Sequence, residues 1–358
     1  MNVEAFDDRI EDYNRLTRRK VLFTVVCLLI VFVVTGLSIS VGARSVPFFR
    51  VYEVILDHIQ GATYVYGTDE WWDDYVVWKV RLPRALIALT AGAGLSVAGA
   101  TLQSIMKNPL ADAYTTGVSS AAVFGVTIAM IMGFTISTSN QYGLVFNAFV
   151  FGLIPVGVMI IVSKMSNVGP ATLILSGVAI SYLFGALSTL VMTTATNQSL
   201  AQAYVWQIGS LQDLSWNSLP LMLGVVSVST VVLTLTASKL NIMTLGDSSA
   251  KGLGLDPDNY RLICLALTSL MVASIISFTG ILGFVGLVVP HIVRMIMGSD
   301  NKFVLPGSAI FGAAFLLVMD TIAKCISMPD ELPVGIVMSF IGAPIFLAMI
   351  IRLKKEVW

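Results

Sequence analysis

Eight stretches of this sequence run without a single Asp, Glu, Lys or Arg: 21–43, 85–106, 113–163, 165–212, 214–238, 262–293, 303–319 and 332–351. An α-helix needs about 20 apolar residues to span the ~30 Å hydrocarbon core of a bilayer. Most of these intervals hold one such helix. The 113–163 interval is too long for one and breaks between Gly133 and Gly143, at the polar run 135–141. The 165–212 interval holds a span at about 171–194, followed by the polar stretch Thr196 to Gln202, read as a surface turn or short helix. The 262–293 interval breaks at Gly280–Gly286 into a span at 260–279 and a shorter one at 283–298. Backbone polar groups cannot stay unpaired in lipid, and a β-barrel would show short alternating segments rather than continuous apolar runs. The expected fold is therefore an all-α polytopic membrane protein with about ten transmembrane helices.

Ten crossings put both termini on one side. Fifteen of the 21 basic residues then fall on the terminus side, among them Arg9, Arg15, Arg18, Arg19, Lys20, Lys164 and Lys239. Six fall opposite: Arg44, Arg50, Lys79, Arg81, Arg84 and Lys324. The excess of lysine and arginine marks the cytoplasmic side, so both termini are expected there and the chain in the cell membrane. Residues 1–20 carry Val3, Phe6, Ile10, Tyr13 and Leu16 at helical spacing, which predicts an amphipathic cytoplasmic helix. No small-residue cleavage site follows the 21–43 run, so it is not read as a removed signal. One transmembrane domain then covers 21–353, with an external segment at 44–80, a cytoplasmic loop at 240–258 and a tail at 354–358. The external segment has an apolar stretch, Val46 to Ile59, suited to the interface. It also holds Asp69-Glu-Trp-Trp-Asp-Asp74, read either as a solvated loop anchored by tryptophan or as a docking surface.

Charged residues are 12% of the chain, about half the usual share of a soluble protein, and mean hydropathy is +0.86. That balance excludes a soluble domain, a disordered chain and a nucleic-acid binder. The three cysteines, Cys27, Cys264 and Cys325, form no metal or disulfide spacing. There is no phosphate-binding Gly-x-x-x-x-Gly-Lys loop, no His-Glu-x-x-His and no Gly-x-Ser-x-Gly, so the chain carries no catalytic machinery of its own. Gly92, Ser96 and Ala100 lie four apart, a spacing that lets helices approach closely. Asp320 is an acid embedded in an apolar run, and Lys324 one turn on is its expected structural partner, though charge inside a membrane can also act directly. An ion-driven carrier, the competing class, would show several such groups. The external bases Arg81, Arg84 and Lys324 either meet an acidic partner protein or reach lipid phosphates. In the 240–258 loop, Asp247 and Ser248 suit a helix N-cap, with Leu253 and Leu255 near the end of a two-turn helix, either a surface for a protein partner or an ordinary loop.

Several motifs recur in one order. They are Arg81-Leu-Pro-Arg84; Gly92 through Gly99 to Gln103; Asn108-Pro-Leu-Ala-Asp112 with Gly117-Val-Ser-Ser; Trp206-Gln-Ile-Gly-Ser-Leu211; Leu245 to Gly254; Gly280 to Arg294; and Glu331-Leu-Pro-Val-Gly335 with Gly342-Ala-Pro344. Together they resemble the permease subunits of type II ABC importers, which take up ferric siderophores, vitamin B12 and haem. The resemblance implies no enzyme activity and no cofactor or metal in this chain, with ATP and magnesium bound by partners. Those partners are a second permease copy or relative, two cytoplasmic ATPases and one external solute-binding protein. It implies that Arg81, Arg84 and Lys324 dock the binding protein. Lysine at 324 loses the bidentate fork that the family's arginine would supply. It further implies that Leu245, Gly246, Asp247, Ser248, Ser249, Ala250, Lys251, Gly252, Leu253 and Gly254 form the coupling helix that sits in the ATPase. The cytoplasmic gate falls on Asn108 and Leu110 with Gly169, Pro170, Ala171 and Thr172. The pathway is lined by 171–194 and 333–351. Ferric siderophore is the first expectation for the cargo, with cobalamin and then haem behind it.

Overall fold

The computed structural model describes residues 3–137, 142–165, 169–328 and 330–356, which contain helices and no strand. The end of the polar run at 138–141, the last two residues of the tail and the first two of the N-terminal segment lie outside the described residues. The helices are α1 (Val3–Ser40), α2 (Phe48–Ile59), α3 (Asp69–Asp74), α4 (Leu82–Met106), α5 (Val118–Met132), α6 (Gly143–Met165), α7 (Pro170–Met192), α8 (Asn197–Ile208), α9 (Leu219–Leu235), α10 (Ala237–Thr244), α11 (Asp247–Gly252), α12 (Pro257–Thr279), α13 (Val285–Met297), α14 (Asn301–Ile326) and α15 (Val334–Glu356).

Seven stretches are long and apolar enough to cross a membrane: Arg18–Ser40, Asp69–Met106, Gly143–Lys164, Pro170–Met192, Trp216–Leu235, Pro257–Thr279 and Asn301–Ile326. Three apolar helices are shorter, Val118–Met132, Val285–Met297 and the Val334–Met349 part of α15. The ten together overlie the ten spans expected from the sequence, seven of them with the length of a crossing. Two of the short ones have visible causes. A 3₁₀ turn at Ala113–Thr116 and a left-handed Gly117 (φ 82°) delay the start of α5. Gly280 (φ 67°) and Phe284 (φ 66°) break the chain between α12 and α13. Irregular backbone at such depth is tolerated only where protein buries it or a cavity borders it, and both breaks meet that condition.

Several elements differ from the sequence reading. The external segment is largely helical. Thr68 accepts a hydrogen bond from the Trp71 N–H and starts α3, which passes through a π-helical turn at Tyr75–Arg81 into α4 without interruption. The helix that carries the second span therefore begins at Asp69 rather than 85. Of the two readings of the Thr196–Gln202 stretch the helix holds: it opens the 12-residue α8, capped by the Thr196 hydroxyl. The N-terminal segment and the first span form one 38-residue helix.

At the centre stands α4, buried along nearly its whole length, with α9, α12, α13 and α14 packed around it. Small residues allow this. A Cβ on Gly92 would overlap the Gly312 carbonyl of α14, and one on Gly99 would overlap the Gly286 carbonyl of α13. Ser96 avoids an unpaired hydroxyl by donating to the Gly92 carbonyl at 2.7 Å. The close approach predicts that Gly99→Ala, adding one methyl group, destabilises the protein by about 1–3 kcal/mol. Thermal denaturation of the purified protein checks this, and an unchanged midpoint would mean that α4 and α13 are less tightly apposed.

Candidate functional site

Where α4 begins, four charged side chains close into one cluster, three of them buried and Glu331 half-buried. Arg84 donates to Asp320 of α14 through Nε at 3.1 Å and Nη2 at 2.7 Å, and through Nη1 to Glu331 in the α14–α15 connection. Lys324, one turn from Asp320, holds its second carboxylate oxygen at 3.0 Å and donates to the Ser38 hydroxyl of α1 at 3.1 Å. Arg84 is 8% exposed, Lys324 2% and Asp320 0%. Two bases face two acids, so the cluster is neutral, which is how charge can persist in an apolar bundle. Arg81, also 8% exposed, donates to the carbonyls of Ile39, Ser40 and Arg44 and so staples the end of α1 to α4. The three bases expected to form an exposed rim are thus gathered at one end but turned inward. Above them α2 and α3 form a small lobe. Arg44 bridges Asp69 and Asp73, His58 meets Asp74 at 2.6 Å, and the His58 ring stacks on Trp78.

The opposite end holds the other predicted residues. Lys107 ends α4 in a left-handed conformation (φ 49°), and the Asn108 side chain accepts the Leu110 N–H at 2.9 Å, which closes a tight turn with Leu110 exposed. Gly169 precedes Pro170, the first residue of α7, and α7 packs on the 113–116 turn through Gly177. Asp247 does not cap α11; Gly246 occupies that position with no side-chain bond. The Asp247 carboxylate instead receives Lys107 at 2.8 Å and Arg261 at 2.9 and 3.0 Å. Burial would raise its pKa, but the hydrogen bonds from Lys107 and Arg261 outweigh that and hold it below the usual carboxylate range. The attachment is therefore intact at neutral pH and is lost only as pH falls below about 4, where an ordinary aspartate protonates. Arg261, 1% exposed, also donates to the Ile105 carbonyl of α4 and to Asp258. The outer face of 245–254 stays open, with Leu245 64% and Leu253 62% exposed.

Between the 112–115 turn, the end of α8, the 281–287 break and the first half of α15 lies a cavity of about 620 Å³. Its wall is mostly apolar, with Asp112, Tyr114, Thr115, Gln207 and Ser339 as polar exceptions. Asp112 is 4% exposed, and its carboxylate accepts the Ala113 N–H at 2.7 Å. Burial pushes its pKa up to about 6, against the pull of that bond. Among the described residues no group of three or more His, Cys, Asp or Glu side chains is placed to hold a metal.

Sequence reasoning did not single out Arg261, Tyr114, Gln207 or the role of Glu331. Arg261 is a basic residue set at the mouth of a span with Asp258 one turn before it, a legible signal. Tyr114 and Gln207 sit in polar-apolar stretches that meet only in three dimensions.

The model of the FecCD transport family matches residues 28–352. The hemin transport system permease protein of Yersinia pestis is 32% identical over 331 residues, covering 92% of this chain and 95% of the relative. The cobalamin import system permease protein of Halobacterium salinarum is 38% identical over 276 residues, covering 77% and 73%. A solved inward-facing structure of a metal-chelate type ABC transporter superposes with a TM-score of 0.80 at 29% identity, covering 92% of this chain and 98% of that one.

Proposed function

We infer from one premise, that the chain belongs to the FecCD transport family, that it is the membrane-spanning permease of an ATP-driven importer for a metal chelate. The chain crosses the cell membrane ten times with both termini in the cytoplasm, counting α5, α13 and α15 as crossings despite their length. A second permease copy or relative, two cytoplasmic ATPases binding ATP and magnesium, and an external binding protein complete the machine. Exposed apolar side chains on α7 and α15, among them Leu175, Tyr182, Leu183 and Phe340, suit the permease–permease contact.

The observation that carries this reading is the pair of ends on α4. At the cytoplasmic end the ATPase receives Leu245 to Gly254, and its motion passes through Asp247 to Lys107 and Arg261, and so to the Asn108–Leu110 turn of the gate beside Gly169–Thr172. At the external end an acidic binding protein docks through Arg81, Arg84 and Lys324. Each is already held internally, so an incoming carboxylate exchanges with Glu331 on Arg84, Glu331 being the most accessible member of the cluster. An ion-coupled carrier is disfavoured because Asp320, the acid such a device would load and unload, is held by both Arg84 and Lys324. Ferric siderophore is the favoured cargo, ahead of cobalamin and haem.

Reconstituted alone into liposomes, the chain is expected to move no chelate; with its ATPase, binding protein and ATP it should concentrate one. Ion-gradient-driven flux by the lone chain, measured with radiolabelled iron chelate, would refute the assignment.

A further inference from the structure

Two side chains that line the 620 Å³ cavity carry buried polar atoms with no hydrogen-bond partner, the Tyr114 hydroxyl and the Gln207 amide nitrogen. Unmade bonds of this kind cost about 1–3 kcal/mol each, so their coincidence in one cavity calls for a reason. Asp112 adds a buried acceptor to the same wall, and no basic side chain lines it. An anionic cargo would meet a carboxylate there with nothing to offset it. A neutral ligand carrying N–H or O–H donors and carbonyl acceptors would instead satisfy Asp112, Tyr114 and Gln207 at once. The volume falls within the usual range of small-molecule sites. Tyr114 and Thr115 also line a second hollow of about 470 Å³ against α7, so Tyr114 stands on the partition between two spaces of the pathway.

We propose that Tyr114, Gln207 and Asp112 form a recognition spot in the pathway wall that selects an uncharged chelate with peripheral amide or hydroxyl groups over an anionic one. The proposal rests on the importer reading above and names the cargo class for it. Transport energy still comes from the ATPase; the spot sets which cargo lingers at mid-pathway and in what orientation.

The complete transporter in proteoliposomes, with its own ATPase and binding protein, is offered four probes: a ferric trihydroxamate, cyanocobalamin, haemin and molybdate. The expected result is ATP-driven uptake of a trihydroxamate or cobalamin in preference to the two anions. Tyr114→Phe should lower kcat/KM for that probe about fivefold, and adding Gln207→Leu about twentyfold. Neither change should lower the melting temperature, because each removes a group that makes no bond within the protein. Preferred uptake of molybdate or haemin overturns the proposal, as does uptake unchanged in the double variant. A fall in uptake that merely tracks a fall in melting temperature also overturns it, since that marks a structural role. ATP-driven uptake of none of the four would sink the importer reading itself, and this inference with it.

Discussion

Replacing Asp320 with asparagine is expected to destabilise the protein by about 3–5 kcal/mol. The carboxylate is fully buried and accepts from both Nε and Nη2 of Arg84 and is paired with Lys324. Without its charge two buried bases would face each other with Glu331 alone to balance them. A variant that removes the whole cluster together, Arg84→Met, Asp320→Leu, Lys324→Met and Glu331→Gln, should be far milder, because apolar groups of similar volume often replace a buried ion cluster at little cost. The two thermal denaturation curves make the test. If D320N melts with the wild type, the cluster is not what holds α4, α14 and the α14–α15 connection together.

Asp247→Ala is expected to cut chelate uptake by about tenfold or more while the ATPase still binds and hydrolyses ATP. The carboxylate is the hub joining α11 to Lys107 and to Arg261. Without it α11 would rest on the chain through Lys251–Asp258 at 3.6 Å and the packing of Ala250. Uptake per ATP hydrolysed in proteoliposomes is the readout. A Lys107→Asp, Asp247→Lys exchange should not rescue it, since the new lysine would oppose Arg261. Normal coupling in D247A would place the load elsewhere on the loop.

Much of this was legible in the chain. Uncharged runs located the helices because hydrocarbon tolerates little else. The i, i+4 spacing already placed Lys324 beside Asp320. Burial of the bases was not legible. Arg81-Leu-Pro-Arg84 reads as a loop at the mouth of a span, yet the helix starts twelve residues earlier, so both arginines lie a turn or more inside it. Their partners come from residues as distant as Asp320 and Glu331, a pairing that no local pattern announces. The 240–258 loop failed in the opposite sense. Asp247 has the chemistry of an N-cap, but two cations from other helices outcompete its own backbone for the carboxylate. The polar spot on the cavity is invisible in one dimension because Gln207 of α8 lies far along the chain from Asp112 and Tyr114, which share one turn.

The unbroken run from Asp69 to Met106 has a mechanical consequence. Its 38 residues make a stiff strut ~57 Å long. One tip is clamped in the aromatic lobe and the other is pinned by Lys107 to Asp247. A strut held at both tips cannot tilt at one without sweeping the other, and its π-turn at Tyr75–Arg81 is braced by the bonds of Arg81 to the end of α1. On the topology proposed above, events on opposite faces of the membrane are then read as a single displacement, and by reciprocity each face feels the other's occupancy with equal free energy.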